Sequence, residues 1–346
     1  MMDTVESVSA HIDGCVTGDP GTTEGSEVIA VVGEALVDLV LESDGRATTH
    51  LGGGAFNAAR TLGRLGLRPL FVGRLSRDSY GRMLRGGLEA SGVRLDGIIE
   101  TCDPTTFARV EVDGHGAASY RFYIDGTSAS GLLASDARAA MPSAPRAMHV
   151  GGLGLVFEPQ ASAIAALVAE APPSTLILVD PNCRPSAVSD GHAYRRRLQA
   201  ILSRADVVKC SEDDLAYLEP DLPALDAARR LLDDGPSLVL LTRGSRGASI
   251  LTAARAARVE AVPAKVVDTI GAGDAFGAAW LGAWVAEGLG RADLPYFEAA
   301  VRAAEFAALV SARTCERAGA EPPRAARVGA EWCVVPGAVS GIGIPE

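Results

Sequence analysis

Lysine is almost missing from this chain of 346 residues: Lys209 and Lys265 stand alone among 32 basic residues. They follow Val208 and Ala264 rather than a glycine, so a Gly-Lys phosphate loop of the Walker A kind is excluded. Schiff-base chemistry has two candidates at most. Histidine is scarce as well, five residues with no H-E-x-x-H spacing, which speaks against a His-ligated metal centre. The six cysteines include no C-x-x-C pair. In a chain this long that reads as reduced thiols in the cytoplasm, not as a disulfide framework. Apolar runs such as Leu238 to Leu241 stay far below the ~20 residues of a membrane span. Positive charge is outweighed, and the net charge of −11 argues against nucleic acid or an anionic membrane as partner. Residues 1–27 are rich in Gly, Thr, Ser, Asp and Glu and lack the basic start and apolar core of a signal peptide. They read as a flexible tail, and residues 336–346 as a peripheral one.

What is present is strand and helix in alternation. With 48% apolar and 22% charged residues, the chain supports one large α/β domain over 28–335. Short apolar runs at 28–33, 70–73, 147–150, 176–179, 207–209 and 238–241 are of buried-strand type. Helices are predicted over 58–65, 81–91, 159–170, 194–203, 224–232 and 275–286. Polar residues recur at the ends of the strands, where an open parallel sheet places its ligands. Two stretches break this rhythm. Residues 36–51, with a turn at Asp44-Gly45, precede a hairpin of period two at 107–112 and 119–124 that turns at 113–116. Together they predict a small half-exposed sheet, lid-like, from about 36–51 and 97–127.

The chemistry concentrates in Asp268-Thr269-Ile270-Gly271-Ala272-Gly273-Asp274-Ala275-Phe276. This stretch reads as a glycine loop between a β-like run, Ala264 to Val267, and a helix. Unpaired N–H groups at such a helix start form an anion site. A dinucleotide-binding G-x-G-x-x-G fails here, because its third glycine is Phe276. An aspartate at the mouth of the site repels a phosphate, unless it removes a proton from a hydroxyl that attacks that phosphate. In-line phosphoryl transfer needs both parts: preorganised donors, from the N–H groups of Ala272, Gly273 and Asp274, and a base, the Asp274 carboxylate. Arg184, at a strand end, is a cationic candidate for the phosphates. A second glycine cluster, Gly52-Gly53-Gly54 with Asn57, suits close approach of a hydroxylated ligand.

These residues resemble the ribokinase-like (PfkB) family of carbohydrate kinases, across roughly residues 28–335. The stretch 268–276 is similar to the family's anion hole and catalytic base. Gly52, Gly53, Gly54 and Asn57 resemble its sugar signature, Asp38 the aspartate that grips sugar hydroxyls, and Thr242-x-Gly244-Ser245-x-Gly247 the nucleotide loop. The resemblance implies a three-layer α/β/α sandwich of Rossmann-like design with a β-sheet lid, and a homodimer through that lid. ATP and Mg²⁺ are the implied cofactors, with K⁺ beside the anion hole. Lys209 and Ser211 are assigned with Thr242 to Gly247 to the nucleotide. Ser211-x-x-Asp214 stands where relatives carry an N-x-x-E element that organises Mg²⁺, so Asp214 is the expected metal carboxylate. Asp268, Ile270, Thr314 and Gly319 are the expected monovalent-cation residues. Asp180-Pro181-Asn182-x-Arg184 and Phe122-Tyr123-x-Asp125-Gly126-Thr127 look most like bacterial fructokinase-like members. Phe107 and Arg109 share one face of the hairpin and are assigned to the sugar. The expected reaction is ATP-dependent phosphorylation of D-fructose at O6. The alternatives are 2-keto-3-deoxygluconate or another sugar or nucleoside as acceptor, and, in a different class, a non-catalytic sugar sensor.

Overall fold

A computed structural model describes residues 27–41, 46–112 and 118–329. The turns at 44–45 and 113–116, residues 1–26 of the N-terminal tail and the C-terminal tail lie outside the described residues. In chain order the strands are β1 (Ile29–Val32), β2 (Leu36–Leu41), β3 (Ala47–Gly52), β4 (Leu70–Ser76), β5 (Ile98–Thr101), β6 (Phe107–Val112), β7 (Ala118–Tyr123), β8 (Ala147–Gly151), β9 (Leu176–Asp180), β10 (Val207–Ser211), β11 (Leu238–Thr242), β12 (Ala248–Leu251) and β13 (Ala256–Val259). The helices are α1 (Gly54–Arg64), α2 (Ser79–Glu89), α3 (Ala134–Ala140), α4 (Gln160–Glu170), α5 (Gly191–Leu202), α6 (Glu212–Leu218), α7 (Ala224–Asp233), α8 (Ala272–Ala286) and α9 (Phe297–Cys315).

One sheet runs β13-β12-β11-β10-β9-β8-β1-β4-β5, parallel from β11 to β5 and antiparallel at β12 and β13. Its central strands are apolar on both faces because helices cover both, which is why they read as continuous runs. Side chains from alternate strand positions divide into two cores. Val31, Phe71, Leu178 and Leu240 pack with α1, α2, α8 and α9, while Val32, Met148, Val179 and Val208 pack with α3, α4, α5 and α7. Helix α8 is apolar all round because the sheet and its neighbours bury it, with Trp280 and Trp284 fully enclosed and stacked at 5.2 Å. Each indole N–H still finds a carbonyl, at Ala300 and Gly290.

The second sheet is small, in the order β3-β2-β6-β7. Residues 98–101, assigned to it from the sequence, instead form β5 and pair with β4 at the edge of the large sheet. Two other expectations change. Ala264 to Val267 is not a strand: the last strand is β13, and Val266 and Val267 are 62% and 59% exposed. The carbonyl of Cys315 accepts from the N–H groups of Val267 and Asp268, which ties this irregular stretch to the end of α9. Helix α1 begins at Gly54, four residues earlier than expected, because the side chain of Glu34 accepts the N–H of Gly54 at 2.7 Å and so satisfies the helix start from outside.

Candidate active site

The chain leaves β1 towards β4 on one side and returns through β8 on the other, so β1 and β8 flank the topological switch point where such sheets bind ligands. A cleft of about 930 Å³ opens there, along the C-terminal ends of the strands. Glu34, Asp38, Asn57 and Phe122 line one end, and Thr242, Gly244, Ser245, Gly247 and residues of 261–266 the other. Arg184, Lys209, Ser211 and the loop 269–274 lie between.

The start of α8 is shaped by glycine. Gly271 has φ +75°, and a Cβ there would stand 2.5 Å from the Cβ of Ala320. A Cβ on Gly273 would meet Nζ of Lys209 at 2.8 Å. The loop therefore keeps its N–H groups bare of side chains, with an ammonium at its side. Asp274 occupies the first turn and is held by two amides. Asn57 donates from Nδ2 to its Oδ2 at 2.9 Å, and Asn182 donates to its Oδ1 at 3.3 Å. Asn182 has φ +39°, a left-handed conformation that asparagine tolerates better than most residues. The sequence placed Asn182 in a motif without a role, and the structure supplies one.

Asp38 lies on β2 with Gly52 opposite its carboxylate. A Cβ on Gly52 would sit 2.3 Å from Oδ2 of Asp38, so this glycine makes room for the acid. Burial pushes Asp38 up to about 7, the Asp274 charge adds to the rise and the Arg184 guanidinium opposes it. Glu34, which sequence reasoning passed over, is the residue that joins the two loops at the switch point. Its Oε1 accepts from Gly54 and its Oε2 from Gly154 at 2.8 Å. Burial raises its carboxyl to about 7 against the pull of these N–H groups.

Under α8, three polar side chains project from neighbouring strands. Nζ of Lys209 donates to Oδ2 of Asp180 at 3.0 Å, both groups being buried. Burial works against the Lys209 charge, but the carboxylates of Asp180, Asp214 and Asp274 outweigh it and raise its pKa. Burial raises Asp180, and Lys209 counters part of the shift. His149, buried beside them, is pushed down to about 4 by burial and by Lys209, and so stays neutral.

Several assigned residues stand differently from expectation. Phe107 packs edge-on against Tyr80, 5.0 Å between centroids, and neither it nor Arg109 lines the cleft. The register explains this. Phe107 and Arg109 pair with Val37 and Leu39, whereas Asp38 pairs with Ala108, whose own partner is Phe122. The cleft face of the hairpin is thus the other set of alternate positions, and Phe122 is its aromatic. Asp214 is also re-read. Its Oδ2 accepts from the N–H and hydroxyl of Ser211, and its Oδ1 from the N–H of Cys183 at 2.6 Å. With Ser211 it forms a capping box at the start of α6, which leaves it little capacity for a metal. Asp213, exposed and lining the cleft, is the carboxylate of this group that stays available to a hydrated cation. Asp268 is a tie between loops: its Oδ1 accepts from Ile270 and its Oδ2 from Gly319, pinning loop 268–270 to loop 314–319. The Thr314 hydroxyl donates to the Val310 carbonyl within α9. Among the described residues no group of three or more His, Cys, Asp or Glu side chains is arranged to hold a metal ion.

Fold and site together define a phosphotransferase of the α/β class, built on a helix start with an embedded carboxylate. The profile of the pfkB family carbohydrate kinases matches residues 26–326, and the chain belongs to that family. It is 34% identical over 261 residues to a fructokinase of Rhizobium leguminosarum bv. trifolii, an alignment that spans 72% of this chain and 78% of the relative. A fructokinase from Xylella fastidiosa solved with bound ATP superposes with a TM-score of 0.80 at 27% identity, over 88% of this chain and 98% of its own. A fructokinase from Vibrio cholerae O395, solved with fructose, ADP and calcium, gives 0.74 at 25% identity over 85% and 95%. No helix among the described residues is long and apolar enough to cross a membrane.

Proposed function

We propose that the protein transfers the γ-phosphate of ATP to O6 of D-fructose. The observation that carries the reading is the Asn57–Asp274–Asn182 arrangement in the first turn of α8, facing a cleft with a hydroxyl-binding carboxylate at one end. Asp274 accepts the proton of the attacking hydroxyl. The N–H groups of Gly271 and Gly273, with Lys209 and Arg184, meet the charge that develops on the transferred phosphoryl, while the Ala272 N–H donates to the Thr269 carbonyl at 3.2 Å. Asp38 and Asn57 orient the sugar, with Phe122 as its apolar wall. The nucleotide lies along Thr242 to Gly247 and the apolar stretch 261–266. Mg²⁺, when bound with ATP, neutralises phosphate charge, and Ser211 and Asp213 are the residues placed to hold its water shell. K⁺ would draw on carbonyls of loops 268–270 and 314–319.

Among the described residues that line the cleft, Arg184 is the single arginine, against the carboxylates of Glu34 and Asp38 at the sugar end. That charge balance favours a neutral ketohexose over 2-keto-3-deoxygluconate. An intact base and glycine loop favour an enzyme over a sensor. This reading implies the cytoplasm as its compartment. It also pairs two copies through the small sheet, whose face away from the cleft exposes Tyr123 and Arg121. A coupled ADP-release assay over fructose, ribose, tagatose, 2-keto-3-deoxygluconate and nucleosides, with Mg²⁺ and with KCl or NaCl, tests it. Fructose should give the highest kcat/KM, and ³¹P and ¹³C NMR should place the phosphate on C6. A higher kcat/KM for another acceptor overturns the assignment, and sugar binding without turnover points to the sensor.

A further inference from the structure

Behind the catalytic loop lies a second cavity, of about 330 Å³, that shares no residue with the cleft. Arg64, Arg317, Arg324 and Arg327 surround it, with Glu321 as its one acidic wall. Four guanidiniums against one carboxylate form an odd concentration in a chain of net charge −11. Glu321 is already shared: Arg60 bonds its Oε1 at 2.5 Å and Arg64 its Oε2 at 2.7 Å. Arg317 and Arg327 have no ion-pair partner among the described residues. Burial and the neighbouring guanidiniums of Arg60 and Arg324 lower the pKa of Arg64, so the cluster repels itself.

The cluster is wired to the catalytic loop through short contacts. On α1, Asn57 holds Asp274, Arg60 donates to the Ala320 carbonyl at 2.9 Å, and Arg64 donates to the Pro322 carbonyl at 2.6 Å. Ala320 in turn abuts Gly271, where a Cβ would be 2.5 Å away. The segment 319–322 is thus held by the arginine cluster on one side and supports the anion-hole loop on the other.

We propose that this cavity is a binding site for a small phosphate-bearing anion, and that its occupancy is felt at Gly271 through Glu321 and Ala320. Guanidinium forks suit phosphate oxygens in pairs, and a bound dianion competes with Glu321 for Arg64. The site does not depend on which sugar the cleft takes.

The test uses inorganic phosphate and pyrophosphate as probes, titrated calorimetrically into the full chain whose cleft is saturated with a non-hydrolysable ATP analogue, at ionic strength matched with KCl. Wild type should show saturable binding, weakened by about tenfold or more in Arg324→Ala/Arg327→Ala. Arg327→Glu alone, read beside a thermal melt that reports folding, should weaken it too. At saturating sugar and ATP, phosphate should change kcat of wild type and leave the double variant unmoved. No binding with the cleft filled, or equal binding by wild type and both variants, overturns the site. Binding without any change in kcat overturns its coupling to Gly271.

Discussion

Replacing Asp274 by Asn tests the centre of the mechanism with little disturbance to its surroundings. The substitution keeps shape and removes charge and basicity. One of the two amide donors, from Asn57 and Asn182, would then face an NH₂ group instead of an oxygen. Left unrelieved, that mismatch costs about 1–3 kcal/mol. The structure offers relief, because Oδ1 of Asn57 is buried and has no hydrogen-bond partner among the described residues. A flipped Asn57 amide presents that oxygen to the new NH₂. Removing the charge also relaxes Glu34, Asp38 and Asp180, all of which the Asp274 carboxylate pushes upward. Stability should therefore change by no more than about 1 kcal/mol. Loss of a general base lowers the rate by about 10²–10⁴, equivalent to about 3–5 kcal/mol on the barrier. The assay is coupled ADP release with fructose and MgATP, beside calorimetric binding of each ligand and a thermal melt. A variant that binds both ligands and keeps kcat within about threefold of wild type refutes Asp274 as the base.

Stability should depend on pH with a definite sign. Glu34 and Asp38 hold their protons to about 7, well above the unfolded values near 4, so the fold gains protons in that window and loses stability as pH rises through it. His149, pushed down to about 4, acts oppositely between about 4 and 6.5. Two groups outweigh one, so the melting temperature of the ligand-free protein should fall from pH 5 to 7 and then level, with a shallower slope in Asp274→Asn. A melting temperature that climbs steadily over that range contradicts the burial argument. Gly271→Ala places a side chain at φ +75° and against Ala320. It should cost about 1–3 kcal/mol and cut kcat as the N–H groups shift, and activity near that of wild type would show that the loop is not the anion hole. Phe122→Ala should raise the KM for fructose, while Arg109→Ala should not. Equal effects would mean that the hairpin register does not decide which face meets sugar. Asp38→Ala should raise the KM for fructose far more than that for ATP, and parallel rises would remove Asp38 from the sugar end.

What the sequence made legible is what chemistry marks locally. Asp274 stood out because a carboxylate in an anion loop conflicts with its setting, and the conflict is visible within nine residues. Continuous apolar runs revealed the parallel sheet for the same local reason. The losses are tertiary. A period of two shows that the hairpin has two faces, but the face that meets the cleft depends on pairing with β2, so Phe107 and Arg109 were placed by the wrong parity. Ala264 to Val267 has the composition of a strand, yet the sheet already ends at β13 and the segment lies over the cleft. Glu34 bonds Gly154, 120 residues away, and nothing near it in the chain announces that partner.

Charge explains why this cleft suits a neutral acceptor and a highly charged donor at once. Glu34, Asp38, Asp213, Asp214 and Asp274 face it, against Arg184 and a Lys209 already paired with Asp180. Two of these acids are raised to about 7 by burial, so the ligand-free cleft carries less negative charge than its composition suggests. A sugar hydroxyl gains from such carboxyls as donors or acceptors, while an acidic sugar would meet the same groups as like charge. On the proposed reading a triphosphate would meet its compensation at the α8 N-terminus, Arg184 and Lys209, which line the same cleft. In that reading Asp274 stands on the border between a hydroxyl-binding half and a phosphate-binding half. That border is where a proton must leave one ligand as charge develops on the other.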